Sequence, residues 1–299
     1  MNYLITGGAG FIGHALVEKL SRKKNNKILV IDFQKKIKNI IKVKNVRYIA
    51  GNIENIKTFK KIKLKIDIAY HFAAQTSAQI GEEKPVKNFQ SNVVGTNNFI
   101  SWAILNKPKI CYFSSSMAVY GNKCKNQKEN YNCEPVSNYG LSKFIGEILF
   151  KKLKKKKINY CILRLFNVYG PGQDLKNLKQ GMISIYIAQA IKGNVIKVSG
   201  SLSRSRDFIY LDDLISLLTS KKLEKNQTYN VGLGKSVSVR KIINLIKLNL
   251  KKKIKVIKIQ NSPGDIFHSY ANNSKLKKIK FYPKISIEEG IKKFLKTVS

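Results

Sequence analysis

Tyr139-Gly140-Leu141-Ser142-Lys143 sets a phenol and a primary amine four residues apart. On a helix that is about one turn, so the two side chains share a face. An ammonium beside a phenol favours the phenolate and lowers its pKa. A tyrosine poised in this way can take a proton from a hydroxyl while hydride leaves the carbon that bears it. Upstream, an apolar run ends in Ser114-Ser115-Ser116, and Ser116 can hydrogen-bond the same hydroxyl. Ser116, Tyr139 and Lys143 are therefore the candidate catalytic residues.

Hydride chemistry needs a carrier, and the N-terminus offers a place for one. Thr6-Gly7-Gly8-Ala9-Gly10-Phe11-Ile12-Gly13 follows the apolar run Tyr3-Leu4-Ile5 and precedes apolar residues at Ala15, Leu16, Val17 and Leu20. Strand, glycine turn and helix is the setting that turns a glycine pattern into a dinucleotide site. Gly7 suits the tight turn, Gly10 lets a pyrophosphate approach the main chain, and Gly13 lets the helix pack on the strand. The N–H groups at the start of that helix then face the phosphates. Asp32 ends the next apolar run, Ile28-Leu29-Val30-Ile31. A carboxylate about 20 residues past the glycines accepts hydrogen bonds from the ribose hydroxyls. Because it repels a 2′-phosphate, the expected cofactor is NAD rather than NADP.

The elements that must position these groups alternate along the first half. Strands are expected at 3–5, 28–31, 46–50, 67–74, 110–113 and 160–166, with a lysine-rich helix or loop after Asp32 and a long helix over 86–105 carrying Asn92. Such alternation predicts an α/β fold, a Rossmann-type doubly wound parallel sheet with helices on both faces. Ligands of these sheets sit beyond the carboxyl ends of the strands. The glycine loop, Asp32, Gly51-Asn52-Ile53, Ala73-Ala74 and the serines all fall at such ends and should converge on one crevice. There Asn52 meets the adenine edge, and the two alanines leave room for the cofactor. From about residue 160 the pattern changes. Residues 1–165 are read as the NAD-binding domain, and 166–299 mainly as a smaller C-terminal substrate-binding α/β region from which a strand can return to the first sheet. Gly and Pro shape the loop Asn167-Val168-Tyr169-Gly170-Pro171-Gly172-Gln173. Arg206 is a candidate clamp for a diphosphate. The competing reading is an ion pair with Asp207 or Asp212.

Composition bounds the partners. The 299 residues carry a formal net charge of +40, which raises nucleic acid or an anionic surface as a partner. Arginine, the residue of bidentate phosphate and base recognition, occurs only at Arg22, Arg47, Arg164, Arg204, Arg206 and Arg240. Lysine is spread along the whole chain together with abundant Ile and Asn, three residues with A/U-rich codons. Genomic bias explains this better than a dedicated nucleic-acid surface, and the dense run over 151–157 reads as a solvated helix end. A noncatalytic nucleotide- or RNA-binding protein is the remote alternative; it leaves Ser116, Tyr139 and Lys143 without a purpose. Cys111, Cys124, Cys133 and Cys161 form no C-x-x-C pair, and His14, His71 and His268 are scattered, so no metal site is expected. No apolar run approaches a membrane span. No signal-peptide layout opens the chain, and the expected location is the cytoplasm.

Taken together, these motifs resemble the extended short-chain dehydrogenase/reductase family, in particular its NAD-dependent nucleotide-sugar epimerases and dehydratases. The resemblance runs nearly end to end. It rests on the loop at 6–13, His71-Phe72-Ala73-Ala74, the strand and turn from Ser114 to Gly121, the Tyr139/Lys143 pair, and the stretches Arg164 to Pro171 and Arg206 to Tyr210. It implies that Ser116, Tyr139 and Lys143 are catalytic. It implies a cofactor surface of Gly7, Gly10, Phe11, Ile12, Gly13, Asp32, Asn52, Ile53, Phe72, Ala73, Ala74, Asn92, Tyr139, Lys143 and Phe166. Ser116, Asn167, Arg206, Asp265 and Ser269 would hold a UDP-sugar, and a homodimer is implied as well. Sugar 4,6-dehydratases of the family carry an acidic pair after the third serine, whereas Met117 and Ala118 stand here. The resemblance therefore implies 4-epimerisation of a UDP-hexose through a transient 4-keto intermediate. Decarboxylation, dehydration or reduction of a nucleotide sugar is the alternative. Two departures stand out: Ser262 replaces an arginine often found before Pro263-Gly264-Asp265, and Ala271-Asn272 replaces an Ala-Asp pair. Ser269 aligns with a position that gates sugar size, and a small residue there would admit N-acetylated sugars.

Overall fold

The computed structural model describes residues 1–33, 41–122, 125–179, 181–259 and 267–298. Cys124, the segment after Phe33, and Ser262 to Asp265 lie outside the described residues, including the candidate substrate residue Asp265.

Six apolar runs form parallel strands β1 (Asn2–Thr6), β2 (Lys27–Asp32), β3 (Val46–Ala50), β4 (Ile68–His71), β5 (Ile110–Ser116) and β6 (Asn159–Leu165). A seventh strand, Gln227–Val231, returns from the C-terminal part and pairs in parallel with β6. The order across the sheet is Gln227–Val231, β6, β5, β4, β1, β2, β3. Successive side chains of a strand leave opposite faces of the sheet, so near-continuous apolar runs mean that both faces are covered. Tyr3, Ile5, Val30 and Leu163 pack on one face against helix α1 (Phe11–Ser21) and helix Leu211–Thr219. Leu4, Leu29, Phe113 and Ile162 pack on the other with Phe99, Trp102 and Phe150. Cys111 and Cys161 are fully buried among these residues.

Two elements differ from expectation. β4 stops at His71: the Phe72 N–H to the Thr6 carbonyl (3.1 Å) is its last rung to β1, which itself ends at Thr6 where Gly7 turns the chain out of the sheet. The expected helix over 86–105 is α-helical over Pro85–Phe89 and Gly95–Asn106 but runs as a π turn over Gln90–Val94. Asn92 sits in that wider turn, its amide bonded to both backbone groups of Gln75, which fixes the bulge.

The remaining chain builds a second apolar cluster around Tyr169, Ile187, Phe208 and Ile246. Helix Val239–Leu250 buries Val239, Ile242, Ile243 and Ile246, the i, i+3, i+4, i+7 stripe of an amphipathic helix. Short strand pairs brace it: Asn167–Tyr169 with Phe208–Tyr210, Ser205–Arg206 with Val237–Ser238, and Val195–Ser199 with Lys255–Ile259. Among the described residues, no helix is long and apolar enough to cross a membrane.

Candidate active site

The glycine loop lies at the carboxyl end of β1. Gly7 has φ +75°, and a Cβ there would stand 2.6 Å from the Ala73 nitrogen. At Gly13 a Cβ would meet the Gly7 carbonyl oxygen at 2.2 Å. Only hydrogen side chains let α1 start this close to the strand ends. Gly10 caps α1 without a side-chain hydrogen bond, and no acidic residue occupies the first turn. The N–H groups that open the helix are thus presented with their positive dipole end uncompensated. Asp32, nearly buried, accepts the Ala9 N–H at 2.9 Å on one carboxylate oxygen and the Phe33 N–H at 2.8 Å on the other. A carboxylate offers about four lone-pair directions, so each oxygen keeps acceptor capacity for hydroxyls beside the loop. Phe11, Ile12, Phe72, Ala73 and Ala74 are partly exposed around the same loop. A cradle that any Cβ would fill, beside an acceptor carboxylate, fits a dinucleotide.

Other residues expected at the cofactor have these neighbours. Ile53 is buried against the α-helix that begins at Gly95. The Asn52 side chain accepts the Glu54 N–H at 3.0 Å. Asn92 also donates to Ser142 Oγ at 3.0 Å, tying the π turn to the Tyr139 helix. Phe166 is buried with Val119, Tyr120 and Ala271.

The Tyr139 helix, Asn138–Lys151, is capped by Ser137 Oγ, which accepts the Gly140 N–H at 3.0 Å. Tyr139, Lys143 and Glu147 occur every fourth position and share the face turned to the sheet. Ser116 lies near enough to Tyr139 to lower the phenol's pKa, so the two hydroxyls expected to act together are neighbours. The direction of the phenol's pKa differs from expectation: burial raises it, and the neighbouring Ser116 hydroxyl pulls it down by less. Lys143 makes its contacts on the sheet. Its ammonium is buried, donates to the Ser114 carbonyl at 2.7 Å, and lies 5.0 Å above the Phe113 ring. Burial lowers its own pKa to about 7.

Three features behind this face carried little signal in the sequence. Glu147 holds Arg164 through two bonds of 2.9 and 2.8 Å, with both side chains buried, and accepts from Ser115 Oγ at 2.6 Å. Arg164 also donates to Tyr120 Oη at 2.9 Å. Arg164, which falls in a stretch matched to substrate contacts, is thus bound up in the sheet. Its partner was findable only as a carboxylate one turn beyond Lys143. His71 bridges Thr6 Oγ1 (2.8 Å) and Thr96 Oγ1 (3.0 Å) among stacked aromatic rings, and burial lowers its pKa to about 3.

On the other side of Ser116 lie the candidate substrate residues. The Met117 thioether receives Asn167 Nδ2 at 3.9 Å and Ser269 Oγ at 3.5 Å, so these three meet beside the hydroxyl pair. Arg206 is nearly buried and donates to the Ser205 carbonyl at 2.9 Å. The expected competing partner Asp207 is fully buried and accepts backbone N–H groups instead.

A model of the NAD-dependent epimerase/dehydratase family matches residues 3–232. The chain belongs to that family. Its cofactor is NAD, and the glycine cradle and Asp32 are the residues whose geometry fits it. A Methanocaldococcus jannaschii protein provisionally named a UDP-glucose 4-epimerase is 33% identical over 97% of this chain and 96% of its own. UDP-glucuronic acid decarboxylase 6 of Arabidopsis thaliana is 29% identical over 97% and 87%. Among solved structures, the Thermotoga maritima UDP-glucose 4-epimerase with UDP-glucose superimposes with a TM-score of 0.92, at 27% identity and full coverage of both chains. The UDP-N-acetylglucosamine 4-epimerase of Methanobrevibacter ruminantium, in complex with UDP-N-acetylmuramic acid, gives 0.91 at 31% identity, covering 99% of this chain and 97% of its own. The family's relatives thus include epimerases and a decarboxylase acting on UDP-sugars.

Proposed function

We propose that this enzyme interconverts UDP-hexoses epimeric at C4. The observation that carries the reading is the Ser116–Tyr139 hydroxyl pair, followed by Met117 and Ala118 rather than by acidic residues. That turn offers one proton acceptor at the sugar hydroxyl and no acid or base for water loss. Tyr139 Oη takes the C4 hydroxyl proton and gives it back, while Ser116 Oγ holds the same hydroxyl in line. When bound, NAD supplies the carrier that accepts the C4 hydride and returns it. Burial works against ionising the phenol. Lys143, one helical turn away, is the chain's own charge able to favour the phenolate. Asn167, Arg206 and Ser269 hold the nucleotide-sugar beside Met117, and Arg206 is the group suited to a diphosphate.

Ser269 and the likeness to a UDP-N-acetylglucosamine 4-epimerase support N-acetylated hexoses as substrates too. The test is chromatography of purified protein incubated with UDP-glucose, UDP-galactose, their N-acetyl forms and UDP-glucuronate. Interconversion of a C4 pair is expected. No interconversion by NAD-loaded protein rejects the reading, and carbon dioxide released from UDP-glucuronate would assign decarboxylation instead.

A further inference from the structure

Asp207 stands between the short strands Ser205–Arg206 and Phe208–Tyr210 and is wholly removed from solvent. One carboxylate oxygen accepts the Leu233 N–H at 2.9 Å; the other accepts the Gly234 N–H at 2.9 Å and the Ala271 N–H at 3.0 Å. The Asp207 carbonyl accepts Asn167 Nδ2 at 2.7 Å. Burial raises the carboxyl pKa to about 7 against these amide donors. A buried carboxylate whose partners are backbone amides from two distant stretches of chain costs more to desolvate than a neutral side chain of the same size. Its location suggests what that cost secures. Arg206 precedes it, Asn167 hangs from its carbonyl, and Ala271 is two residues from Ser269, whose own N–H bonds the Ser205 carbonyl at 3.1 Å. The carboxylate thus ties the strand that carries Arg206 to the stretch that carries Ser269 and to the loop at 233–234, while the Asp207 main chain holds Asn167.

We propose, on the substrate-side reading given above, that Asp207 is a positioning residue that gathers Asn167, Arg206 and Ser269 into one nucleotide-sugar pocket. It touches neither the sugar nor the cofactor; it sets the distances among the side chains that hold the UDP moiety. In Asp207→Asn an acceptor oxygen becomes an NH2 group that must face either the Leu233 N–H or those of Gly234 and Ala271, so the link from the Arg206 strand to the 233–234 loop or to the Ser269 stretch is loosened. UDP affinity, measured by calorimetry on NAD-loaded protein, is expected to fall at least about tenfold. The KM for the UDP-sugar should rise more than kcat falls, with NAD content unchanged. Equal UDP affinity in variant and wild type would overturn the assignment. Should the variant not fold, amide exchange in the wild type decides: UDP should slow Leu233, Gly234 and Ala271 together, and UDP binding that leaves them unaffected counts against Asp207. If UDP binds, weakens with the variant, and no sugar is interconverted, the epimerase reading falls while Asp207 keeps its assignment. A wild type that binds no UDP overturns both.

Discussion

Tyr139, Ser116 and Lys143 were legible as residues because their types and spacing survive without a structure. The electrostatics were not, since burial depends on everything that packs around a group. Tyr139→Phe removes the proton acceptor but little volume, so kcat should drop by about 10²–10⁴-fold with NAD retained; full activity would refute Tyr139 as the base. Lys143 tests the electrostatics directly. Its folded pKa, about 7, lies below the ordinary 10.5. Between those values the unfolded chain holds more protons than the folded one, so this group makes stability rise with pH across the window. Below it, the full cost of a buried charge remains. Lys143→Met lacks both the cost and the titration. Its urea midpoint should gain on the wild type toward neutral pH, and its stability should be flatter between about 7 and 10.5. Parallel curves would show that the amine is not desolvated as its surroundings indicate. The same variant is expected to lose activity, separating what the lysine does for chemistry from what it costs the fold.

At the scale of elements, the sheet strands could be read from apolar runs, and the glycine loop from its flanks. The π turn at Gln90–Val94 could not, because its determinant is the bond from Asn92 to Gln75, a contact across a loop. Nor could the purpose of Glu147. On the sequence it is one charge on an amphipathic helix. In the fold it joins the Tyr139 helix to β5 through Ser115 and to β6 through Arg164. Removing one partner of a buried ion pair leaves the other charge uncompensated. Glu147→Ala is therefore expected to destabilise the protein by about 3–5 kcal/mol, read as a lowered urea midpoint. A loss below about 1 kcal/mol, the range of exposed pairs, would mean that water reaches the pair. Asp207 was visible only as a possible ion partner, since nothing local in Arg206-Asp207-Phe208 announces that amides from residues 233, 234 and 271 will converge on it.

For the molecule as a whole, the +40 charge was legible as a number, but its distribution needed the fold. A cavity of about 490 Å³ lined by Lys107, Lys109, Lys156, Lys157 and Lys225 opens beside the starts of β5 and β6, at the opposite end of the strands from the glycine loop. Polyanion binding there should be nonspecific and fall steeply with salt. Replacing Lys107, Lys156 and Lys225 by Gln should weaken retention on RNA and leave turnover unchanged; a parallel loss of turnover would tie the basic end to the reaction. The return of Gln227–Val231 to the sheet has a consequence for synthesis. While residues 166–226 leave the ribosome, β6 waits with an open flank, its last neighbour still untranslated. The nascent chain is then most exposed to joining another copy of itself, and the late strand, by closing that flank, makes emergence of the chain past Val231 a condition for a finished sheet.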